Sequence, residues 1–257
     1  MSKKAVLGVP MISILLAAGY GTRLYPLTRD RAKPLLPVGG RPIIDYLVDR
    51  LEECADIDRY LLVSNARFAG DFERWAAGRR LSRPLTVLND GSTENEDRLG
   101  AVADVAFALD TADAWGEDAY VLATDNLPRF DLLEIVSLMQ QKRASAVFAC
   151  AVEDPAQLRR VGVAEVAPDG RILSCKEKPE HPKGNLRIPP FYAYTAADLS
   201  LVKDFLSEGN NPDAPGHFLA WLVGRRKVYA LRRDEGTYDI GTLESYQAVQ
   251  DEFGQDS

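Results

Sequence analysis

The pattern of apolar and polar positions along the chain predicts strands that alternate with helices. Short apolar runs, typical of buried strands, cover residues 12–18, 60–64, 85–88, 119–126 and 145–152. Segments with apolar residues three and four positions apart predict helices over residues 42–54, 68–77, 99–109 and 127–143. This alternation predicts an α/β fold, Rossmann-like, with a mixed and mostly parallel sheet that has helices on both faces.

The pattern changes from residue 161 onward. The Pro-Asp-Gly turn in "VGVAEVAPDGRILSCKEKP" predicts a hairpin, which a strand over 191–195 and a helix over 196–206 follow. After a polar loop, the chain predicts a helix over 217–224, a strand over 227–233 and a last helix capped by Thr242. We therefore predict a single domain over 1–257, with a core over 11–155 and a smaller lobe with C-terminal helices over 156–257.

Composition and charge narrow the classes of partner. A chain of 257 residues with 46% hydrophobic residues can bury one large core. A net charge of −7 argues against nucleic acid, and no run reaches the ~18–20 apolar residues that a membrane span needs. The first 50 residues hold eight Lys/Arg and three Asp/Glu, a net charge of +5. The cationic part of the chain is therefore its beginning.

The three widely spaced cysteines, Cys54, Cys150 and Cys175, predict reduced thiols in a cytoplasmic protein. Two lysines and an apolar run at the start of the chain imitate a secretory leader. We reject that interpretation because Pro10 interrupts the run and cleavage near Ala18 would cut into a glycine loop. Residues 1–10 are instead predicted to be an extension ahead of the first strand.

That glycine loop lies in "ISILLAAGYGTRLYPLTRDRAKPLLPV". Gly19 and Gly21 allow a sharp turn and a close approach of the backbone to a ligand, and Arg23 and Lys33 add positive charge. These features predict a triphosphate-binding loop, although a solvated loop with two surface cations has the same pattern. A P-loop is excluded by its motif, and a dinucleotide fingerprint by Leu24 in its sixth position and by the prolines that follow.

The longer stretch "LLAAGYGTRLYPLTRDRAKPLLPVGGRPII" resembles the signature of the sugar-1-phosphate nucleotidylyltransferases, and most closely the glucose-1-phosphate thymidylyltransferase branch. The resemblance implies the nucleotide-diphospho-sugar transferase fold with a small sugar-binding lobe. It implies transfer of NMP from an NTP to a sugar 1-phosphate, with Mg²⁺ as cofactor, and it leaves room for a homo-oligomer. Arg23 and Lys33 would be catalytic, and the nucleotide would contact Leu16, Ala18, Gly19, Gly21, Thr22 and Asp125.

Two distant acids complete the implied metal site. Asp125 follows an apolar strand, and its "TDN" resembles the family's metal-binding Gly-Asp-Asn, with Thr124 in place of the glycine. Asp239 in "YDIGTLESY" matches the family's second metal carboxylate. Mg²⁺ prefers one or two carboxylates together with water and phosphate oxygens, so two such acids would suit a bound triphosphate. Taken alone, each acid is also typical of a turn or a helix start.

Acceptor residues are implied in the second half of the chain. Glu177 and Lys178 in "CKEKPEHPKGN" match the family's Glu-Lys-Pro, with Lys178 on the acceptor phosphate and Glu177 on sugar hydroxyls. Without its context, this charged stretch is more typical of a solvated loop. The remaining family positions fall on Gly162, Ile188 and Tyr192. Val161 and Pro190 replace a tyrosine and a glycine, which leaves the acceptor open.

The base-binding stretch departs most from the family. "NDGSTENEDRLGAVADV" replaces a Gln-Pro segment; Gly100 fits, and Asn95, near the glutamine, could pair with a pyrimidine edge. We therefore favour a pyrimidine NTP. Two alternatives remain: a cytidylyltransferase that acts on a phosphorylated alcohol or a phosphonate, and a catalytically silent regulatory subunit that binds nucleotide sugars. The silent subunit predicts a missing cation or acid, but both cations and both acids are present.

Overall fold

The computed structural model describes residues 11–152 and 154–254, which form a mixed central sheet between two helical layers. Strand β1 (Met11–Leu16) lies in its interior and pairs in parallel with β4 (Ile57–Ser64) and β6 (Asp118–Ala123). Beyond β4, strand β5 (Leu85–Asn89) continues the parallel half. The carboxyl ends of these strands therefore open at one edge of the sheet.

Strands from the second half of the chain extend the sheet beyond β6. Next to β6 lies β12 (Phe191–Tyr194), which is antiparallel to it, and then β8 (Ala146–Ala151), which pairs in parallel with β13 (Tyr229–Arg233). Beyond β8 lie β11 (Leu186–Ile188), β9 (Gly162–Val166) and β10 (Ile172–Glu177), each antiparallel to the strand before it. Among the described residues, all of the ten strands except β10, β11 and β12 run in one direction, so the sheet is mostly parallel, as predicted.

Helices cover both faces because the central strands are apolar on both sides. In β1, Ile12 and Ile14 join one buried cluster with the helices α3 (Ala101–Thr111), α7 (Val202–Ser207) and α8 (Pro215–Val223). Met11 and Leu15 join a second cluster with the helices α1 (Ile43–Glu52), α2 (Ala69–Ala77) and α4 (Glu134–Lys142). The other helices of the described residues are α5 (Pro155–Leu158), α6 (Ala196–Leu199) and α9 (Leu243–Gly254).

Two small ribbons stand apart from the main sheet. Strand β2 (Pro37–Val38) pairs with β3 (Arg41–Pro42), and β7 (Asn126–Pro128) pairs in antiparallel fashion with β14 (Thr237–Asp239). Helix α9 packs beside them in a third buried cluster, and the Thr242 hydroxyl accepts a hydrogen bond from the Ser245 amide at 3.2 Å, as its predicted cap role requires. The chain end is thereby held against the strand ends of the core.

Several predicted boundaries were wrong. The helix predicted over 127–143 begins only at Glu134, because residues 126–128 form β7. The helix predicted over 196–206 is two helices, α6 and α7, and Pro42 lies at the N-cap of α1 rather than within its first turn. Strands β11 and β14 were not predicted, since three residues carry no alternation pattern. The division between core and lobe remains a prediction.

Other sequence features have a simple structural counterpart. The Pro-Asp-Gly segment joins β9 and β10 as an antiparallel hairpin, with Gly170 at a φ of 86°. All three cysteines are buried and free. No helix in the described part of the chain combines the length and apolar character needed to cross a membrane. The predicted N-terminal extension, residues 1–10, lies outside the described residues.

Candidate active site

A cavity of about 800 Å³ opens at the carboxyl ends of the parallel strands. Such a position is where open α/β sheets bind ligands. Every site residue predicted from the sequence lines this cavity. They are Leu16, Ala18, Gly19, Gly21, Thr22, Arg23, Lys33, Asn95, Gly100, Asp125, Gly162, Glu177, Lys178, Ile188, Tyr192 and Asp239.

The glycine loop that follows β1 forms one wall of the cavity. Gly21 has a φ of 61°, and its carbonyl accepts a hydrogen bond from the Thr28 hydroxyl at 2.8 Å. The buried Asn65 side chain donates to the Ala18 carbonyl at 2.9 Å and so fixes the start of the loop. A Cβ on Gly19 would meet no described atom within 4 Å. The loop is thus held from behind, while Gly19 presents bare backbone to the open cavity.

Lys33 and Asp125 form an ion pair at the centre of the site. The lysine side chain is only 8% exposed, and its Nζ donates to Asp125 Oδ2 at 2.7 Å. Asn126 Nδ2 donates to the other carboxylate oxygen at 2.9 Å. Burial opposes ionisation of Asp125, but the charge and hydrogen bond of Lys33, with the Asn126 amide, hold its pKa below the usual value. Asp125 is therefore ionised at neutral pH.

Asp239 and Arg23 converge on the same part of the cavity. In the β7–β14 ribbon, Asp239 lies opposite Asn126, the neighbour of Asp125. A Cβ on Gly241 would lie 3.4 Å from Asp239 Oδ1 and 3.7 Å from Arg23 Nη1, so the acid and the guanidinium flank one point. Two residues far apart in the chain, one before β4 and one after β13, thus meet beside the Lys33–Asp125 pair.

The carboxylates of Asp125 and Asp239 suit a hard cation whose coordination a bound ligand completes. No group of three or more His, Cys, Asp or Glu side chains among the described residues could hold a metal ion alone. One carboxylate lies in the turn between β6 and β7 and the other at the end of β14, beside the open cavity. Two such carboxylates fit Mg²⁺, which usually takes one or two carboxylates plus phosphate oxygens and water.

Glu177 lies at the end of the cavity away from the Lys33–Asp125 pair. It ends β10 and is packed against two glycines, since a Cβ on Gly162 would lie 3.0 Å, and one on Gly216 only 2.0 Å, from its Oε2. Burial raises the pKa of Glu177, although the neighbouring Lys178 opposes this effect. The nearby Tyr192 is buried and stacks on Tyr194. An acid, an amine and an aromatic ring therefore line the predicted acceptor end.

Gly216→Ala is expected to raise the KM for the acceptor about tenfold and to leave the KM for the NTP unchanged. The added methyl group would overlap Glu177 Oε2 and push its carboxylate out of position. Steady-state kinetics with each substrate varied in turn measures both constants. Gly224→Ala, at the exposed end of α8, is the matched control. An unchanged acceptor KM would contradict the placement of Glu177.

The segment between β5 and α3 is joined to the loop before α8. Arg98 pairs with Asp213 at 2.8 Å and donates to the Asn95 carbonyl at 2.6 Å. Gly100 has a φ of 93°, and a Cβ there would lie 2.8 Å from the Pro212 carbonyl oxygen. Only glycine fits this close contact. The predicted base-binding residues, Asn95 and Gly100, thus belong to a wall that two distant loops build together.

Sequence reasoning missed several residues that line the cavity. Arg187 donates through Nη2 to the Thr237 carbonyl at 3.4 Å and to the Thr237 hydroxyl, and so ties β11 to the strand that carries Asp239. Arg98 and Asp213 are 115 positions apart, and nothing in the sequence pairs them. The sequence predicts only a helix at Asp104 and only a loop at Gly216. Asp104 carries one signal, a lone acid on the apolar segment "AVADVAFAL".

The cavity thus combines a parallel-strand edge, a glycine loop, a lysine–aspartate pair and a second acid, an arrangement suited to binding phosphate groups. A family model described as Nucleotidyl transferase matches residues 12–255. The chain belongs to the nucleotidyl transferase family, and the predicted family is thereby confirmed. Nucleotidyl transfer is the reaction after which this family is named.

Individual relatives agree. A glucose-1-phosphate thymidylyltransferase of an Actinoplanes species is 32% identical over 247 residues, which cover 91% of this chain and 75% of that protein. A glucose-1-phosphate adenylyltransferase of Rhodopirellula baltica is 28% identical over 91% of this chain and 58% of its own length. The chain thus spans three quarters of the first relative and less than two thirds of the second.

Solved structures confirm the predicted nucleotide-diphospho-sugar transferase fold. A UDP-glucose pyrophosphorylase complexed with UDP-glucose superimposes with a TM-score of 0.79 at 20% identity, covering 97% of this chain and all of that one. The CTP:phosphocholine cytidylyltransferase of Streptococcus pneumoniae gives 0.73 at 18% identity, covering 95% and 99%. At these identities the likeness concerns the fold alone.

Proposed function

We propose that the chain transfers a nucleoside monophosphate from an NTP to a sugar 1-phosphate and releases pyrophosphate. The observation that carries this proposal is the convergence of Arg23, the Lys33–Asp125 pair and Asp239 at one end of the cavity that holds Glu177 at its other end. The first end suits a triphosphate, and the second suits a phosphorylated polyol. The identity of the thymidylyl and adenylyl relatives supports the sugar phosphate as acceptor.

In the proposed reaction, an anionic oxygen of the acceptor phosphate attacks the α-phosphorus. The bond from that phosphorus to the oxygen bridging the β-phosphate breaks in line, and the electron pair leaves with pyrophosphate. The nucleophile is already ionised, so no general base is needed. The work left to the protein is to position two anions and to stabilise negative charge that moves toward the leaving group.

Each cationic residue has a separate part in this proposal. Lys33, held by Asp125, would reach the α-phosphate and the incoming acceptor phosphate, while Arg23 would stabilise the departing pyrophosphate. Lys178 would hold the acceptor phosphate, and Glu177 would accept hydrogen bonds from acceptor hydroxyls. Asp125 and Asp239 would hold Mg²⁺, which neutralises phosphate charge when bound.

Pyrophosphate release from a panel of NTPs and acceptors tests the proposal. UTP, dTTP, CTP, ATP and GTP are each combined with several sugar 1-phosphates and with phosphoalcohols such as phosphocholine. We expect release with a pyrimidine NTP and a sugar 1-phosphate, because the Asn95 amide can pair with a pyrimidine edge. Release only with CTP and a phosphoalcohol would support the cytidylyltransferase alternative, which Val161 and Pro190 keep open. Binding without turnover of any pair would contradict an enzyme function.

A further inference from the structure

A buried acid stands in the cavity wall without a partner. Asp104 lies in the first turn of α3 and is only 6% exposed, and its Oδ1 finds no hydrogen-bond partner among the described residues. It also lines the cavity. Burying an unpaired polar group is costly, so native proteins rarely retain one unless water, an ion or a ligand satisfies it or it has a functional role. Nothing in the proposed phosphate chemistry requires this carboxyl group.

Asp104 lies on the nucleotide side of the cavity. Helix α3 packs against β1 and β4, whereas Glu177 and Tyr192 lie on β10 and β12, across β6. The Asp104 amide donates to the Gly100 carbonyl at 2.8 Å, so the acid stands one turn beyond the predicted base-binding glycine. With phosphates at the glycine loop and the acceptor at Glu177, the base is what remains to occupy this wall.

A second carboxylate oxygen near Asp104 also lacks a partner. Asp90 Oδ2 is also buried without a hydrogen bond within the described part of the chain, although the other oxygen of Asp90 accepts from the Ser92 amide and hydroxyl. Asp90 directly follows β5 and is close enough to act on Asp104 electrostatically. A ligand with hydrogen-bonding edges would satisfy this wall better than an apolar one.

The charge state of Asp104 follows from these surroundings. Burial, and to a smaller extent the negative charge of Asp90, raises the pKa of Asp104 to about 7. The acid is therefore substantially neutral near pH 7 and carries an O–H donor beside a C=O acceptor. The other charged or titratable groups on the elements around α3 are Tyr20, the Arg98–Asp213 pair, His217 on α8, and the Lys203–Asp110 pair with α7.

We propose that Asp104 is a specificity-determining residue for the nucleobase: its neutral carboxyl group donates its O–H to a ring carbonyl and accepts from the adjacent ring N–H. This pattern matches the imide edge of uracil or thymine. The proposal deepens, and rests on, the proposed nucleotidyl transfer. Because the neutral form binds the base, affinity falls as the pH rises through the range in which Asp104 ionises.

Calorimetric titration of UTP and dTTP with Mg²⁺ and without acceptor tests this directly, at pH 6.0 and pH 8.5. Wild-type affinity should fall up to about 30-fold between these values, because the neutral fraction falls by about that factor. Inorganic triphosphate, which has no base, corrects for titration of the phosphates. The side-chain amide of Asp104→Asn donates and accepts a hydrogen bond at either pH, so this variant should bind the NTP at both pH values without the loss of affinity. Asp104→Leu should bind the NTP about tenfold more weakly at pH 6.0 and triphosphate normally.

Three results would overturn the proposal outright, and a fourth would overturn its assignment of the neutral form. They are an Asp104→Asn variant with the wild-type pH profile, an Asp104→Leu variant that binds UTP and dTTP as the wild type does, and a wild-type preference for ATP or GTP over both. If Asp104→Asn weakens UTP and dTTP binding as much as Asp104→Leu does, the ionised carboxylate of Asp104 contacts the base. The assignment of the neutral form is then wrong. Normal triphosphate binding by both variants verifies that they are folded. Absence of pyrophosphate release in the panel would reject the proposed reaction but not this binding result.

Discussion

Lys33→Met is expected to lower kcat for pyrophosphate release by about 10²- to 10³-fold, the usual cost of losing one group that stabilises transition-state charge. Its ammonium is fixed by Asp125 at 2.7 Å and its side chain is only 8% exposed, so the substitution removes a positioned positive charge from the cavity wall. The NTP should still bind, because the glycine loop and Arg23 remain. Steady-state kinetics with a coupled pyrophosphate assay separates the change in kcat from the change in KM.

Lys227→Met is the matched control, since Lys227 is an exposed lysine that does not line the cavity. It should leave kcat and both KM values unchanged. Urea unfolding of the Lys33→Met variant checks its fold, because the substitution leaves Asp125 with only the Asn126 amide. A folded Lys33→Met protein with near-normal kcat would reject the catalytic role of Lys33.

Asp239→Asn is expected to lower kcat/KM for the NTP by at least about 10²-fold. Removing one of two carboxylates from a metal site costs several kcal/mol of charge stabilisation, and 1.36 kcal/mol corresponds to tenfold. The effect should depend on the metal: NTP binding measured by calorimetry weakens in the presence of Mg²⁺ and is unchanged in EDTA. This second readout does not depend on turnover.

The chain offers a neighbouring control for this substitution. Asp234 is an exposed acid between β13 and β14 that does not line the cavity, so Asp234→Asn should behave as the wild type in both assays. If Asp239→Asn binds Mg²⁺–NTP as tightly as the wild type, Asp239 is not a metal ligand. A loss of NTP affinity that is equal with and without Mg²⁺ would instead indicate a distortion of the β7–β14 ribbon.

Local chemistry made the first half of the site predictable from the sequence. The glycines, Arg23 and Lys33 lie within 15 residues, and Asp125 follows an apolar run that can only be a buried strand. The rule that parallel strands end at one sheet edge then places them together. What the sequence did not contain was the Lys33–Asp125 contact itself, which joins residues 92 positions apart.

The second half of the site depended on resemblance more than on pattern. Asp239 reaches the cavity through β14, whose three residues pair with β7 and show no periodicity. Asp104 looked like an ordinary polar position on a helix, because desolvation and the proximity of Asp90 exist only in the folded chain. The need for glycine at position 216 follows only from its contact with Glu177 in the folded chain. Such features depend on packing between distant parts of the chain, which a single sequence does not reveal.

A crystal structure of the protein with Mg²⁺ and a pyrimidine NTP is the most direct test of the central claim. It should show the triphosphate along Gly19 to Arg23, one metal ion bound to both Asp125 and Asp239, and the base on the wall formed by Asn95, Gly100 and Asp104. A nucleotide bound elsewhere, or a triphosphate that leaves Lys33 and both acids without contact, would contradict it.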